Sequence, residues 1–254
     1  MHLYTNAHLT GPLQQAVDSG LIQIFPLNSG DDIVSNYDIN SNPALIKQII
    51  ENSKKASESF LAEHPDSMIP PFEQELRNLG FQFEISEQIK HFLPKYKKVI
   101  LPIAVKYYQQ AIHDTDKNFF ISLFHYKGFD EVIPMLLDDF YSEKVSSLTR
   151  QFIGETLRAI HSEKYIDDYL KIIESPQYGI ARAPIFSLVG SFKVDQAIPI
   201  LVKLLDDDEE FAACALQTLG AYKRLELRPC FEHYIDSPDI RLRKIAKAAL
   251  KKLE

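Results

Sequence analysis

Cysteine is scarce in this chain. Cys214 and Cys230 are its only two, which gives neither a disulfide framework nor metal-ligand spacing. Both fall in predicted helices among apolar residues, where a thiol is a small core side chain. Glycine is scarce as well, with nine residues against fourteen prolines, and there is no glycine-rich phosphate loop and no GxSxG elbow. No apolar run approaches the roughly 20 residues needed to span a bilayer. The N-terminus has no basic segment leading into an apolar core, so no signal peptide is expected. No two of the eight histidines stand four residues apart, and there is no HExxH motif, so neither a metal nor a cofactor is expected. Acidic residues outnumber basic ones, for a formal net charge of −7. Because Lys and Arg supply most non-specific affinity for phosphate backbones, that balance argues against nucleic acid as the default partner. The expectation is a reduced, cytoplasmic protein with no membrane span.

What the chain does contain is a helical repeat. Val194 to Tyr222 reads as two short helices around an acidic turn. Ile198, Leu201, Leu204 and Leu205 share one face of the first, and Phe211, Ala215, Leu216 and Leu219 share one face of the second. Gly220 reads as the helix stop. Neither helix buries its apolar stripe alone, so each needs neighbours, and the flanking sequence supplies them.

Before the repeat lies a different region. Thr10 to Ser19 reads as a short helix with Pro12 near its start. Leu21 to Leu27 is apolar and partly β-branched, but Pro26 weakens it as a strand. Residues 28–42 are rich in Asn, Asp, Ser and Gly and mark turns, so 1–42 is an irregular N-terminal segment. Asn42-Pro43 is a helix start, with the helix running to Ala62. A proline-bearing break over His64–Pro71 follows, then helices over Phe72–Leu79, closed by Gly80, and Ser86–Leu93. Residues 43–94 are thus capping helices, ahead of a repeat region over 95–254.

From Lys95 onward proline recurs early in the first helix of each pair, as Pro102, Pro134, Pro199 and Pro229. Asp167 holds that place in the copy that lacks it. The period is 30 to 33 residues, the length of a helix–turn–helix unit. Second helices begin at Thr149-Arg150, Ala181-Arg182, Phe211-Ala212 and Leu242-Arg243, and close near Leu157, Val189-Gly190, Leu219-Gly220 and Leu250. Ser175-Pro176 and Ser237-Pro238 read as caps. Asp206 to Asp208 offer carboxylates to a helix N-terminus. Five pairs result, over 96–126, 130–160, 164–190, 195–222 and 226–253.

On these residues the chain from Ser86 to Glu254 resembles the bacterial HEAT-repeat proteins, especially the short-period kind related to phycobilisome-lyase repeats. ARAPIFSLVG and LRKIAKAAL carry the second-helix pattern, and AIPILVKLL carries the first. Ala212 departs from it where Arg is expected, Lys251 stands in place of a closing Gly, and the first pair fits loosely. The resemblance implies an all-α fold: an armadillo-like α-α superhelix, a right-handed solenoid of about five pairs with an irregular N-terminal cap. Such repeats serve adaptors, lyases, regulators and some DNA-repair enzymes, so fold does not settle function.

Arg150, Arg182 and Arg243 recur at one repeat position. They read as structural joints that pair with turn carboxylates or cap carbonyls, rather than as a row of phosphate ligands. His113, Asp114 and Asp116 form a polar cluster in a turn, read as a cap on the helix that follows rather than a metal site. Asp138-Asp139, Asp167-Asp168 and Asp206 to Glu210 read as solvated turns, since adjacent helical residues diverge. The basic residues Arg241, Arg243, Lys244, Lys247, Lys251 and Lys252 read as the polar outer face of a terminal repeat.

The expected function is a non-catalytic protein-binding scaffold, an adaptor, a regulator or an immunity-type inhibitor, that uses the concave surface of the solenoid. No catalytic residue is assigned. Surface candidates are Gln151, Glu155, Arg158, Ser187, Gln217 and Lys244, with His125, Tyr126, Tyr178 and Tyr222 as aromatic anchors. The alternative is a HEAT-like enzyme resembling the alkylpurine DNA glycosylases or the chromophore lyases. The glycosylases use a basic face with tryptophans, whereas this chain is acidic and has no tryptophan.

Overall fold

Apolar residues spaced three and four apart need a helix to gather them on one face. From Pro43 onward a computed structural model of the chain realises that spacing. It describes residues 2–4, 23–25, 43–207 and 210–253. The chain divides into two compact units, Met1–Phe60 and Leu61–Glu254. Residues 61–94, set apart above as capping helices, thus fall in the same unit as the repeats.

In the first unit β1 (His2–Tyr4) pairs in parallel with β2 (Gln23–Phe25), with Leu3 opposite Ile24. A short strand therefore forms within the segment that Pro26 weakens as a strand. It ends one residue before that proline, so the missing N–H falls outside the ladder. Helix α1 (Pro43–Glu63) begins in this unit. The expected helix over 10–19, the turns of 28–42 and the Asn42 cap lie outside the described residues.

The second unit is helical throughout. After α2 (Ile69–Asn78) and a 3-10 turn over Ser86–His91 come five helix pairs. These are α3 (Leu93–Gln110) with α4 (Asp114–Leu123), α5 (Ile133–Tyr141) with α6 (Ser147–Ile160), and α7 (Ile166–Ile173) with α8 (Ala183–Phe192). Then follow α9 (Ala197–Asp207) with α10 (Ala212–Tyr222), and α11 (Arg228–Glu232) with α12 (Ile240–Lys251). Each first helix packs on its own second helix, and the second helices pack in succession, α4 on α6, α6 on α8, α8 on α10 and α10 on α12. One apolar cluster runs through them from Phe72 to Ala249.

Several local expectations need correction. Pro70 belongs to the first turn of α2 rather than to a break, because its missing N–H costs nothing there. Pro102 lies inside α3, which starts nine residues earlier and kinks at Tyr96 (φ −114°, ψ 26°). Gly190 and Gly220 do not stop their helices, which run on to Phe192 and Tyr222. The chain leaves the helix at the left-handed residues His161, Lys193 and Lys223, with φ between 55° and 58°. The glycines serve the contact between neighbouring second helices instead. A Cβ on Gly190 would lie 3.0 Å from Thr218 Cγ2, and one on Gly154 would lie 2.7 Å from the Ala181 carbonyl oxygen. Glycine is there for closeness.

The caps differ too. The Ser175 hydroxyl donates back to the Lys171 carbonyl (2.7 Å), and α12 is capped by Asp239, which accepts from Arg241 N (2.7 Å). Asp206 and Asp207 finish α9 rather than capping α10, while Asp208 and Glu209 lie outside the described residues. Asp139 is no solvated turn residue. It accepts the Tyr108 hydroxyl and the Lys117 ammonium (2.6 Å), tying the first pair to the second. Asp116 caps α2 rather than its own helix, as its carboxylate accepts Met68 N at 2.6 Å and the Ser67 hydroxyl at 2.7 Å.

Arg150 and Arg182 reach the end of their own first helix, and Arg243 reaches the connection that follows its first helix. Arg150 donates to the carbonyls of Phe140 (2.8 Å) and Ser142 (2.7 Å), Arg182 to Ile173 (2.9 Å), and Arg243 to Ser237 (2.7 Å). Ala212 leaves the fourth pair without that donor. There the Tyr234 hydroxyl, from the following pair, donates to the Leu205 carbonyl at 3.1 Å.

Candidate functional site

The row of second helices brings some sequence candidates together and separates others. Ser187 on α8 and Gln217 on α10 line one open groove of about 410 Å³. Gly190 and Gly220 are among its lining residues, where each lets the next second helix come close. Thr218 secures one wall: its hydroxyl donates to the Cys214 carbonyl (2.7 Å) and sits 3.2 Å from the Phe186 carbonyl on α8. Ser191 donates to the Leu188 carbonyl (2.6 Å), so its proton is held by its own helix. Ser187 and Gln217 are exposed and have no hydrogen-bond partner among the described residues.

A second grouping forms at the end of α6. Arg158 and Glu155 pair at 2.9 Å, and His125 Nδ1 lies 3.3 Å from the Thr156 hydroxyl. Loss of solvent around the His125 ring, with the Arg158 cation next in weight, holds it below the usual imidazole range; Glu155 opposes that shift and Lys90 adds to it. Tyr126 donates to the Lys90 carbonyl at 2.7 Å. The Thr156 hydroxyl beside His125 is buried and so is not presented to solvent.

The other candidates stand apart. Tyr178 packs edge-on against Phe140, and the Arg150 guanidinium lies 5.5 Å from its ring. Tyr222 is buried and donates to the Val194 carbonyl (2.8 Å), and burial pushes its hydroxyl up to about 12. Both tyrosines hold the fold together here. Gln151 is half-buried on α6, and Lys244 is exposed on α12 outside the groove.

Sequence reasoning did not name Lys193, and it read Cys214 as a core thiol and Lys252 as part of a terminal polar face; all three line the groove. A signal was present: His161, Lys193, Lys223 and Lys252 follow their second helices at intervals of about one repeat. A basic residue there suits a helix C-terminus, and so reads as local chemistry.

Among the described residues no three His, Cys, Asp or Glu side chains are placed to hold a metal ion, and no helix is long and apolar enough to cross a membrane. In comparisons with known proteins, no family model, no curated protein and no solved structure matches this chain.

Proposed function

We propose that the five pairs form a HEAT-type solenoid and that the chain is a non-catalytic scaffold, holding another protein on the row of second helices. By the same reading it works in a reduced bacterial cytoplasm, with Cys214 and Cys230 as thiols. One observation carries the reading: the groove between α8 and α10 opens where consecutive second helices meet, and it presents Ser187 and Gln217 uncommitted to the fold. Polar groups that stabilise nothing internally are free to meet a partner. The contrast with Tyr178 and Tyr222, whose polar and aromatic contacts serve packing, marks this stretch of the face as the one to test.

The test is affinity purification from a lysate of the source organism with wild type and with a Ser187→Arg/Gln217→Arg variant, followed by mass spectrometry. Proteins held by the wild type and lost by the variant are expected. Recovery of the same set with both forms removes the groove from the proposal.

A further inference from the structure

Lys193 and Lys252 approach the groove from two separate elements. Lys193 follows α8 directly with φ 55°, and Lys252 is the residue that ends α12. Both are exposed, and neither forms an ion pair among the described residues. No carboxylate of the described residues lines the groove, although the chain as a whole has a net charge of −7. Helix C-termini account for a cation at each place. They do not account for the lack of carboxylates among the described lining residues on a chain this acidic.

The polar groups narrow the occupant further. The Gln217 carboxamide offers a donor and an acceptor side by side, which matches the N–H and C=O of a peptide unit. A phosphate backbone presents acceptors only and would leave the Gln217 oxygen unused. At about 410 Å³ the space is near the lower end of ligand pockets, roughly 300–1,000 Å³, and suits a few side chains rather than a folded domain.

We infer that this groove binds an extended acidic polypeptide segment, with Lys193 and Lys252 meeting its carboxylates and Gln217 its backbone. The inference rests on the scaffold reading and assigns the chemistry of the partner. Charge steering of this kind weakens with salt.

The experiment is selection of a displayed library of random 12-residue peptides on the full chain, followed by affinity measurement on the enriched peptides by fluorescence anisotropy. A 12-nucleotide single-stranded DNA serves as the competing probe. Peptides enriched in Asp and Glu are expected, with affinity that falls as salt rises. Lys193→Gln/Lys252→Gln should weaken them about tenfold, the scale of removing two exposed charge contacts, with an unchanged melting curve. Enriched peptides without an acidic bias, or acidic peptides indifferent to the double variant, overturn this inference and leave the scaffold reading standing. Enrichment of no peptide overturns this inference alone and leaves the scaffold reading to the affinity purification. Lysine-dependent binding of the oligonucleotide in place of peptides overturns both, in favour of nucleic acid.

Discussion

Asp116, in the first turn of α4, accepts the backbone N–H of Met68 at 2.6 Å across 48 residues of chain. The carboxylate is fully buried, and it also accepts the Ser67 hydroxyl at 2.7 Å. The α2 N-terminus therefore takes a cap from a helix in the first repeat pair, beside the local one in which Ser67 Oγ accepts Ile69 N at 3.3 Å. Asp116→Ala leaves two buried donors without an acceptor and should cost about 3 kcal/mol, with Asp116→Asn costing roughly half of that. Urea unfolding followed by circular dichroism measures it. An alanine variant within about 0.5 kcal/mol of wild type would show that this link is incidental.

The three interhelical glycines should respond to alanine in a fixed order. At Gly154 the new Cβ meets a backbone oxygen at 2.7 Å, at Gly190 a threonine methyl at 3.0 Å, and at Gly220 an alanine methyl at 3.4 Å. Backbone cannot step aside, so Gly154→Ala should cost about 2–3 kcal/mol. Gly190→Ala should cost about 1 kcal/mol. Gly220→Ala meets ordinary contact and should stabilise by up to about 0.5–1 kcal/mol through helix propensity. Melting temperatures in any other order would mean that these helices are not held at this spacing.

Periodicity made the five pairs legible, because apolar spacing is set by helix geometry that each repeat must satisfy alone. The residues that join one pair to another were harder to read. Gly190 and Gly220 look like helix stops along the chain, and only the neighbouring helix reveals them as close contacts. Asp116 and Asp139 look like local caps and solvated turns, while their partners lie between 22 and 49 residues away. For the same reason Ser187 and Gln217 could be named as surface candidates, but Lys252 joins them only once α12 is packed on α10.

His125 should make stability depend on pH near neutrality. Its folded-state affinity for protons is depressed, so between the folded and unfolded pKa values the unfolded chain binds more protons. Stability is then greatest above the ordinary imidazole value of about 6.5 and is lost as pH falls through it. Asp66 and Asp239, held below the usual carboxylate range by His113 and Arg241 respectively, lose their contribution in a lower, separate window. Melting temperature measured from about pH 7.5 to 5.5 should fall, and His125→Asn should flatten that slope. An unchanged slope in the variant would assign the effect to another group.

The arginine at the start of each second helix should matter in proportion to its burial, not to the number of carbonyls it reaches. Arg182 is 1% exposed, donates to Ile173 and lies 4.1 Å over the Phe211 ring. Arg150 reaches two carbonyls but is half-buried, as is Arg243 with one. Replacing Arg182 by Met deprives a buried carbonyl of a charged donor and should cost about 3 kcal/mol, against about 1 kcal/mol at Arg150 or Arg243, where water can take over. Arg182→Lys should not restore stability, since a lysine reproduces neither the planar fork nor the stacking. In the fourth pair the same task falls to Tyr234, so Tyr234→Phe should cost about 1 kcal/mol although no arginine is involved. Equal costs at Arg150, Arg182 and Arg243 would contradict the burial argument, and a neutral Tyr234→Phe would mean that the Leu205 carbonyl needs no partner from the next repeat.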